Sequence, residues 1–427
     1  MEKLLERNEV EQKDKWDLES IYKSLDDLKK DCNQVEKNTS ELEKQQDSFT
    51  SSSKNFLNFL ELYSATSRIF EKLFTYAIRK SDEDLGNSTY QELSGKVQNL
   101  YQSFQEKTSF ATPTILSCDK SKILSYFDEE KDLEKHRHNI EDILRYKEHT
   151  LSKEEEKIVS AYAKVIDSSS DTASYLMDAD LKFAKIKDSN NKLVELNSSN
   201  YSIYLKDKER RVRKAAFLNC HKGYGSVKNT LTSTLAATSE ALSTSSKLRH
   251  YSSSLEESLF SDNVPVELYN NLIETVHKNL PSLYEYYQVK QRLLNLKDFH
   301  IYDSYVSVTK QDDKEYSFEE GKKIVLDALS ILDNEYQEVL KTAFTDGWID
   351  KYPNKNKKSG AYSCGGYDTK PFVLLNYTNT YNDVSTLAHE LGHSMHTYFS
   401  NKYNTYGNHE YPIFLAEIAS TVNEMLL

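Results

Sequence analysis

Ala388-His389-Glu390-Leu391-Gly392-His393-Ser394-Met395-His396 decides the reading of this 427-residue chain. If residues 384–400 are helical, His389 and His393 project from one face, about 40° apart around an axis of 3.6 residues per turn. Two imidazoles so placed can hold one small cation, and Glu390 lies beside them within reach of a water. His-Glu-x-x-His therefore describes two neutral nitrogen ligands and one carboxylate base at a hydrolytic zinc site. Upstream, Asp383, Ser385 and Thr386 are N-cap candidates, while Leu387, Ala388, Leu391 and Met395 make a buried helical face. The blander alternative is a helix with one packed and one solvated histidine, and a third ligand decides between them.

A catalytic zinc takes three protein ligands and keeps one position open. Cys32, Cys118, Cys220 and Cys364 form no C-x-x-C pair and none is near the motif in sequence. Downstream lie His396, His409, Glu410, Glu417 and Glu424. His396 is only three positions past His393, which disfavours a place in the same tetrahedron. Residues 401–411 read as a loop containing Gly407, and Pro412 suits the first turn of a new helix over Ile413–Glu424. A carboxylate in so apolar a run is costly unless paired or metal-bound, which makes Glu417 the best third ligand. Glu424, two turns on, is placed to hold a ligand histidine through its second ring nitrogen, or else is a solvated carboxylate.

Here the chain resembles the thimet oligopeptidase family of zinc peptidases, and within it the bacterial oligoendopeptidase F branch. The resemblance rests on His389–His393 with Glu417 in Ala416-Glu417-Ile418-Ala419-Ser420-Thr421. It extends to Trp16–Tyr22, Pro265–Tyr269, Asp346–Asp350, Ser359–Ser363, Tyr367–Thr369 and Phe372–Tyr377, nearly the whole chain. It implies a mainly α, multi-helix zincin-type peptidase with a small β-sheet beside the zinc helix and a deep substrate channel between helical halves. It also implies one Zn2+ per chain on His389, His393 and Glu417, Glu390 as general base, and cleavage inside short peptides. In the family, tyrosine and histidine side chains beyond the third ligand grip the substrate carbonyl. This sequence stops at Leu427 in an apolar helix without Gly, Asn or a basic turn to close it, which reads as a truncated catalytic domain.

Composition agrees with helices. Only 11 Gly and 6 Pro interrupt a chain that is 38% apolar and 29% charged. A net charge of −12 argues against a nucleic-acid partner, since phosphate binding needs clustered Lys and Arg. The basic run Lys206–Lys214 is interleaved with Asp207 and Glu209 and reads as a solvated helix start. Met1–Arg7 has no apolar signal core, and no run of 18 apolar residues exists to span a membrane. Four scattered cysteines suit a cytoplasmic location.

Phe56, Leu60, Tyr63, Phe70, Leu73 and Ala77 fall on one helical stripe, and Leu93, Val97, Leu100, Tyr101 and Phe104 on another. Such stripes predict core. Ser152–Glu155 is a capping box, and Asp188–Asn191 is the turn of a β-hairpin between Phe183–Lys187 and Lys192–Leu196. Gly360, Gly365 and Gly366 break the texture before Phe372–Leu375, a strand expected beside the zinc with a free edge for an extended peptide. The alternative is a buried hairpin without a ligand role. The division expected is a helical N-terminal region to about 110, a connecting region 111–197, and a catalytic region 198–427.

The function expected is a zinc-dependent endopeptidase acting on short peptides. Its rivals are a related helical exopeptidase, for which no terminal clamp is identifiable, and a non-catalytic zinc-binding peptide scaffold. A scaffold site usually fills all four metal positions with protein ligands, and only three are found here. Oligomeric state is not legible in the sequence.

Overall fold

A computed structural model describes residues 4–309 and 314–427, so the first three residues of the N-terminal stretch read above lie outside it. The chain forms two compact units, one from residues 1–147 with 314–427 and one from 148–313. In chain order the main elements are α1 (Leu25–Lys44), α2 (Ser53–Glu83), α3 (Ser88–Thr108), α4 (Lys153–Tyr175), β1 (Ile186–Lys187), β2 (Leu193–Val194), α5 (Arg210–Ser226), α6 (Lys228–Leu248), α7 (Val266–Leu293) and α8 (Phe318–Ala328). There follow α9 (Asn334–Ala343), β3 (Ile349–Asp350), β4 (Tyr362–Cys364), β5 (Phe372–Leu374), α10 (Tyr381–Tyr403) and α11 (Ile413–Leu426). Among the described residues the fold is mainly α with two small sheets, as expected.

In the first unit the two helical stripes meet. Phe56, Phe70, Leu73 and Ala77 of α2 are buried with Val97 and Phe104 of α3, and Leu60 and Tyr63 pack at the rim. Tyr101 is partly exposed, yet its ring meets Phe70 edge-on at 5.2 Å. Large apolar side chains spaced three and four apart bury one face of each helix.

The three-stranded sheet has the order β3-β5-β4, with β3 parallel and β4 antiparallel to β5. Successive side chains of a strand point to opposite faces. Phe372 and Leu374 therefore enter the aromatic core of α1–α3, where Trp16 meets Phe372 edge-on at 6.3 Å. Val373 and Leu375 enter a second core with Phe318, Val325, Trp348, Leu387 and Leu391. Burial on both faces explains the unbroken apolar run. It also corrects the expected edge: β5 is central, and the free edges belong to β3 and β4. Because β5 lies between cores supplied by both ends of the chain, the units divide at 147 and 313 rather than near 110 and 197.

A buried ionic cluster supports this sheet. Arg7 binds Asp350 through Nη1 at 3.0 Å and Nη2 at 2.5 Å, and also Glu83 at 2.9 Å. Lys357 Nζ lies 2.7 Å from Asp350 Oδ1 and donates to the carbonyls of Tyr352 and Leu375. Burial pushes the Asp350 carboxyl up, but Lys357 and Arg7 more than offset this and hold it below the ordinary range.

In the second unit, Ser152 and Glu155 form the expected capping box, and β1 pairs with β2 in the expected hairpin, with Asn191 at φ 62° in its turn. The basic run departs from expectation. Arg213 is buried and donates to the fully buried Asp303 at 2.8 Å, and Arg210 joins them at 2.9 Å. Two arginines on one carboxylate make this a structural ion cluster, because a buried charge needs a partner. Among the described residues no helix is long and apolar enough to cross a membrane.

Candidate active site

α10 begins earlier than the sequence suggested. Its N-cap is Thr380, not Asp383, Ser385 or Thr386. Asp383 occupies the return position of the capping box, its Oδ2 accepting from the backbone N–H groups of Thr378 and Thr380 at 3.0 and 2.8 Å. From there Leu387, Ala388, Leu391 and Met395 face the core, as expected, joined by Val384, and place His389 and His393 on the flank.

α11 follows Pro412, which stands at its N-cap. The two helices touch at Gly392. A Cβ there would lie 2.6 Å from Ser420 Cα and 2.8 Å from the Ala419 carbonyl oxygen, so only glycine allows the approach. Asn423 completes the docking, donating to the Ala388 carbonyl at 3.0 Å and accepting from Tyr336 Oη at 3.0 Å.

This crossing brings the expected ligands together. His389 Nε2 and His393 Nε2 are 3.1 Å apart, and Glu417 Oε2 lies 3.4 and 3.5 Å from them. Atoms held tetrahedrally at zinc distances of about 2.0–2.1 Å stand roughly 3.3 Å from one another. Proton placement points the same way. His389 Nδ1 donates to Glu424 Oε1 at 2.6 Å, which leaves its Nε2 with a lone pair. Three ligand-type atoms thus converge, an arrangement a cation satisfies. The donor set fits zinc.

The basis for choosing Glu417 needs correction. Its side chain is 58% exposed, and Ile413, Phe414, Ile418 and Met425 of α11 are exposed too. The apolar run therefore does not bury this carboxylate, which is held through Ser420 Oγ at 2.8 Å from Oε2. His396 stays out of the triad, stacked on Tyr411 at 3.6 Å between ring centroids.

Glu390 is buried at the junction, and burial pushes its carboxyl up to about 7. His389 pulls it down, Glu417 adds to the rise, and the Ser363 backbone N–H opposes it. The His393 imidazole is lowered, chiefly by burial. Glu424 is held below the usual carboxylate range, first by His389 and then by Ser385. β4 lies against α10 through Ser363 Oγ and Ser394 Oγ at 2.8 Å, and Ser394 also donates to the Glu390 carbonyl.

Glu71, His409 and Glu410 form a second group whose ligand-type atoms lie within 4.8 Å of one another. Its Glu71 oxygens accept from Tyr406 Oη and the Tyr367 N–H, both at 2.7 Å, and His409 Nε2 stands 3.8 Å off. Sequence reasoning named His409 and Glu410 but missed Glu71, as it missed Ser420, Asn423 and the Ser363–Ser394 pair. Glu71, Asn423 and Ser363 act through partners distant in sequence, and only Gly392 inside the motif hinted at a tight crossing.

A mainly helical fold with a His-Glu-x-x-His helix met by a carboxylate from the next helix defines a class of candidate metal-dependent hydrolases. Residues 203–427 match the family described as Peptidase family M3, and residues 115–183 match Oligopeptidase F. Oligopeptidase PepF of Bacillus subtilis is 36% identical over 99% of this chain, which spans 63% of that relative's length. An oligoendopeptidase F homolog of Lactococcus lactis is 35% identical, with 99% of this chain and 70% of the relative aligned. Among solved structures, one from Chlamydophila abortus aligns at a TM-score of 0.89 with 35% identity, covering 99% of this chain and 71% of that one. Oligoendopeptidase-F from Enterococcus faecium aligns at 0.63 with 30% identity, covering 94% and 66%. The chain belongs to peptidase family M3.

Proposed function

We propose that this chain carries the zinc site of an endopeptidase that hydrolyses internal bonds of short oligopeptides. The observation that carries the reading is the convergence of His389 Nε2, His393 Nε2 and Glu417 Oε2, 3.1 to 3.5 Å from one another. One Zn2+ bound there supplies a Lewis acid that polarises the scissile carbonyl and acidifies a water. Glu390 takes a proton from the attacking water and later delivers it to the leaving amine. Its carboxyl, raised to about 7, suits proton exchange near neutral pH. His389 is oriented by Glu424, which fixes the tautomer that leaves Nε2 for the metal.

Substrate binding is assigned to the free edge of β4, which Ser363 ties to α10 one turn after Glu390. Main-chain pairing with an extended peptide tolerates varied side chains. Four unpaired cysteines support placing the activity in the cytosol.

The test uses internally quenched peptides blocked at both ends, with metal analysis of the same preparation. Cleavage of the blocked peptides, with about one zinc per chain that Glu417→Gln releases, is the expected result. Cleavage of free-ended peptides alone would make the protein an exopeptidase. Zinc retained by Glu417→Gln would remove the third ligand from the proposal.

A further inference from the structure

Ser420 has no exposed surface, although it stands on a helix whose neighbouring apolar residues face solvent. Its Oγ lies 2.8 Å from Glu417 Oε2 and 3.1 Å from the Glu417 carbonyl oxygen. A hydroxyl has one proton to give. The shorter contact, to a charged acceptor, is the stronger claim on it, because O–H···O⁻ bonds are both shorter and stronger than neutral ones. Oε2 is also the oxygen that faces both imidazoles.

The donor itself cannot drift. Ser420 Cα is the atom nearest the place where a Gly392 Cβ would stand, so its position is set by the crossing of α10 and α11. The acceptor, by contrast, belongs to a side chain that is 58% exposed and, if unrestrained, free to rotate into water. A fixed donor beside a free carboxylate selects one of its rotamers.

Resting on the three-ligand reading, we propose that Ser420 is a positioning residue for the metal site. Its hydroxyl holds Glu417 Oε2 toward the two histidines, so that the third ligand is in place before the ion arrives. A carboxylate oxygen has two lone pairs, so accepting from Ser420 leaves one for the metal. The loss on removing the hydroxyl is the entropy of ordering a half-exposed side chain on each binding event.

The test measures zinc affinity of the full chain by chelator competition, with thermal unfolding of the metal-free protein and the visible spectrum of its cobalt(II) form alongside. Ser420→Ala is expected to weaken zinc about 10- to 100-fold. It should alter the cobalt spectrum and leave the metal-free melting midpoint unchanged. The loss should vanish when Ser420→Ala is placed on Glu417→Ala, because a partner acting through Glu417 has nothing left to act on. Wild-type affinity in Ser420→Ala overturns the proposal, as does an equal loss in the Glu417→Ala background. Should the wild type itself bind no zinc, the three-ligand reading fails, and this outcome is distinct from both.

Discussion

Two of the clusters of charged or ligating side chains in the first unit balance their donors and acceptors differently. Around Asp350, the guanidinium of Arg7 and the ammonium of Lys357 meet a carboxylate, and the remaining Lys357 donors reach backbone carbonyls. Around Glu417, two imidazole nitrogens and a carboxylate oxygen face one another, with Glu424 behind His389 and Ser420 behind Glu417. The first cluster is complete and stabilises. The second gathers three ligand-type atoms about a point that a cation would satisfy, which makes it a candidate site. Satisfaction, more than composition, separates a structural cluster from a functional one.

Glu390→Gln gives the largest expected effect. Turnover of a blocked peptide should fall about 10²- to 10⁴-fold, the usual contribution of a positioned general base, while metal analysis finds zinc retained. Unchanged turnover would take Glu390 out of the chemistry. Asp350→Asn attacks the complete cluster instead. Stranding Arg7 and Lys357 without their carboxylate should cost about 3–5 kcal/mol in denaturant unfolding.

The same carboxylate sets a pH dependence. The folded Asp350 value is lowered, so its contribution is present above the unfolded carboxylate pKa of about 3.9 and is lost as pH falls through the folded value. Acid unfolding of the wild type should therefore steepen below pH 4, and a stability that rises there would contradict the ion cluster. Gly392→Ala, which forces a methyl against Ser420 Cα, should cost about 1–3 kcal/mol and weaken zinc binding. The smallest effect is expected at the other histidine cluster. His409→Ala should cost about 1 kcal/mol in thermal stability and leave zinc content at the wild-type level. A drop in zinc content would show that Glu71, His409 and Glu410 bind metal as well, and would erase the contrast.

How far the sequence foretold this depended on how local each feature is. The motif helix and its buried face were legible because 3.6-residue periodicity needs only neighbours. The cap at Thr380 is equally local, a box closed by Asp383 three residues on, but Asp383, Ser385 and Thr386 compete for the role in the sequence. Glu417 was found for a reason the structure reverses: an apolar helix was taken as a buried one, and α11 leaves much of its apolar surface exposed. β5 was visible as an apolar run, but its central place comes from two- and three-residue partners at 349–350 and 362–364, too short to carry a pattern. Arg213 looked solvated because Asp303, its partner, is 90 residues away.

The burial of β5 between two cores also governs the order in which this polypeptide matures on the ribosome. Helices α1–α3 emerge long before β5, with a core that Phe372 and Leu374 complete. For more than two hundred residues of synthesis that core lacks its last two strand residues, and incompletely packed nascent chains commonly need chaperones to shield them.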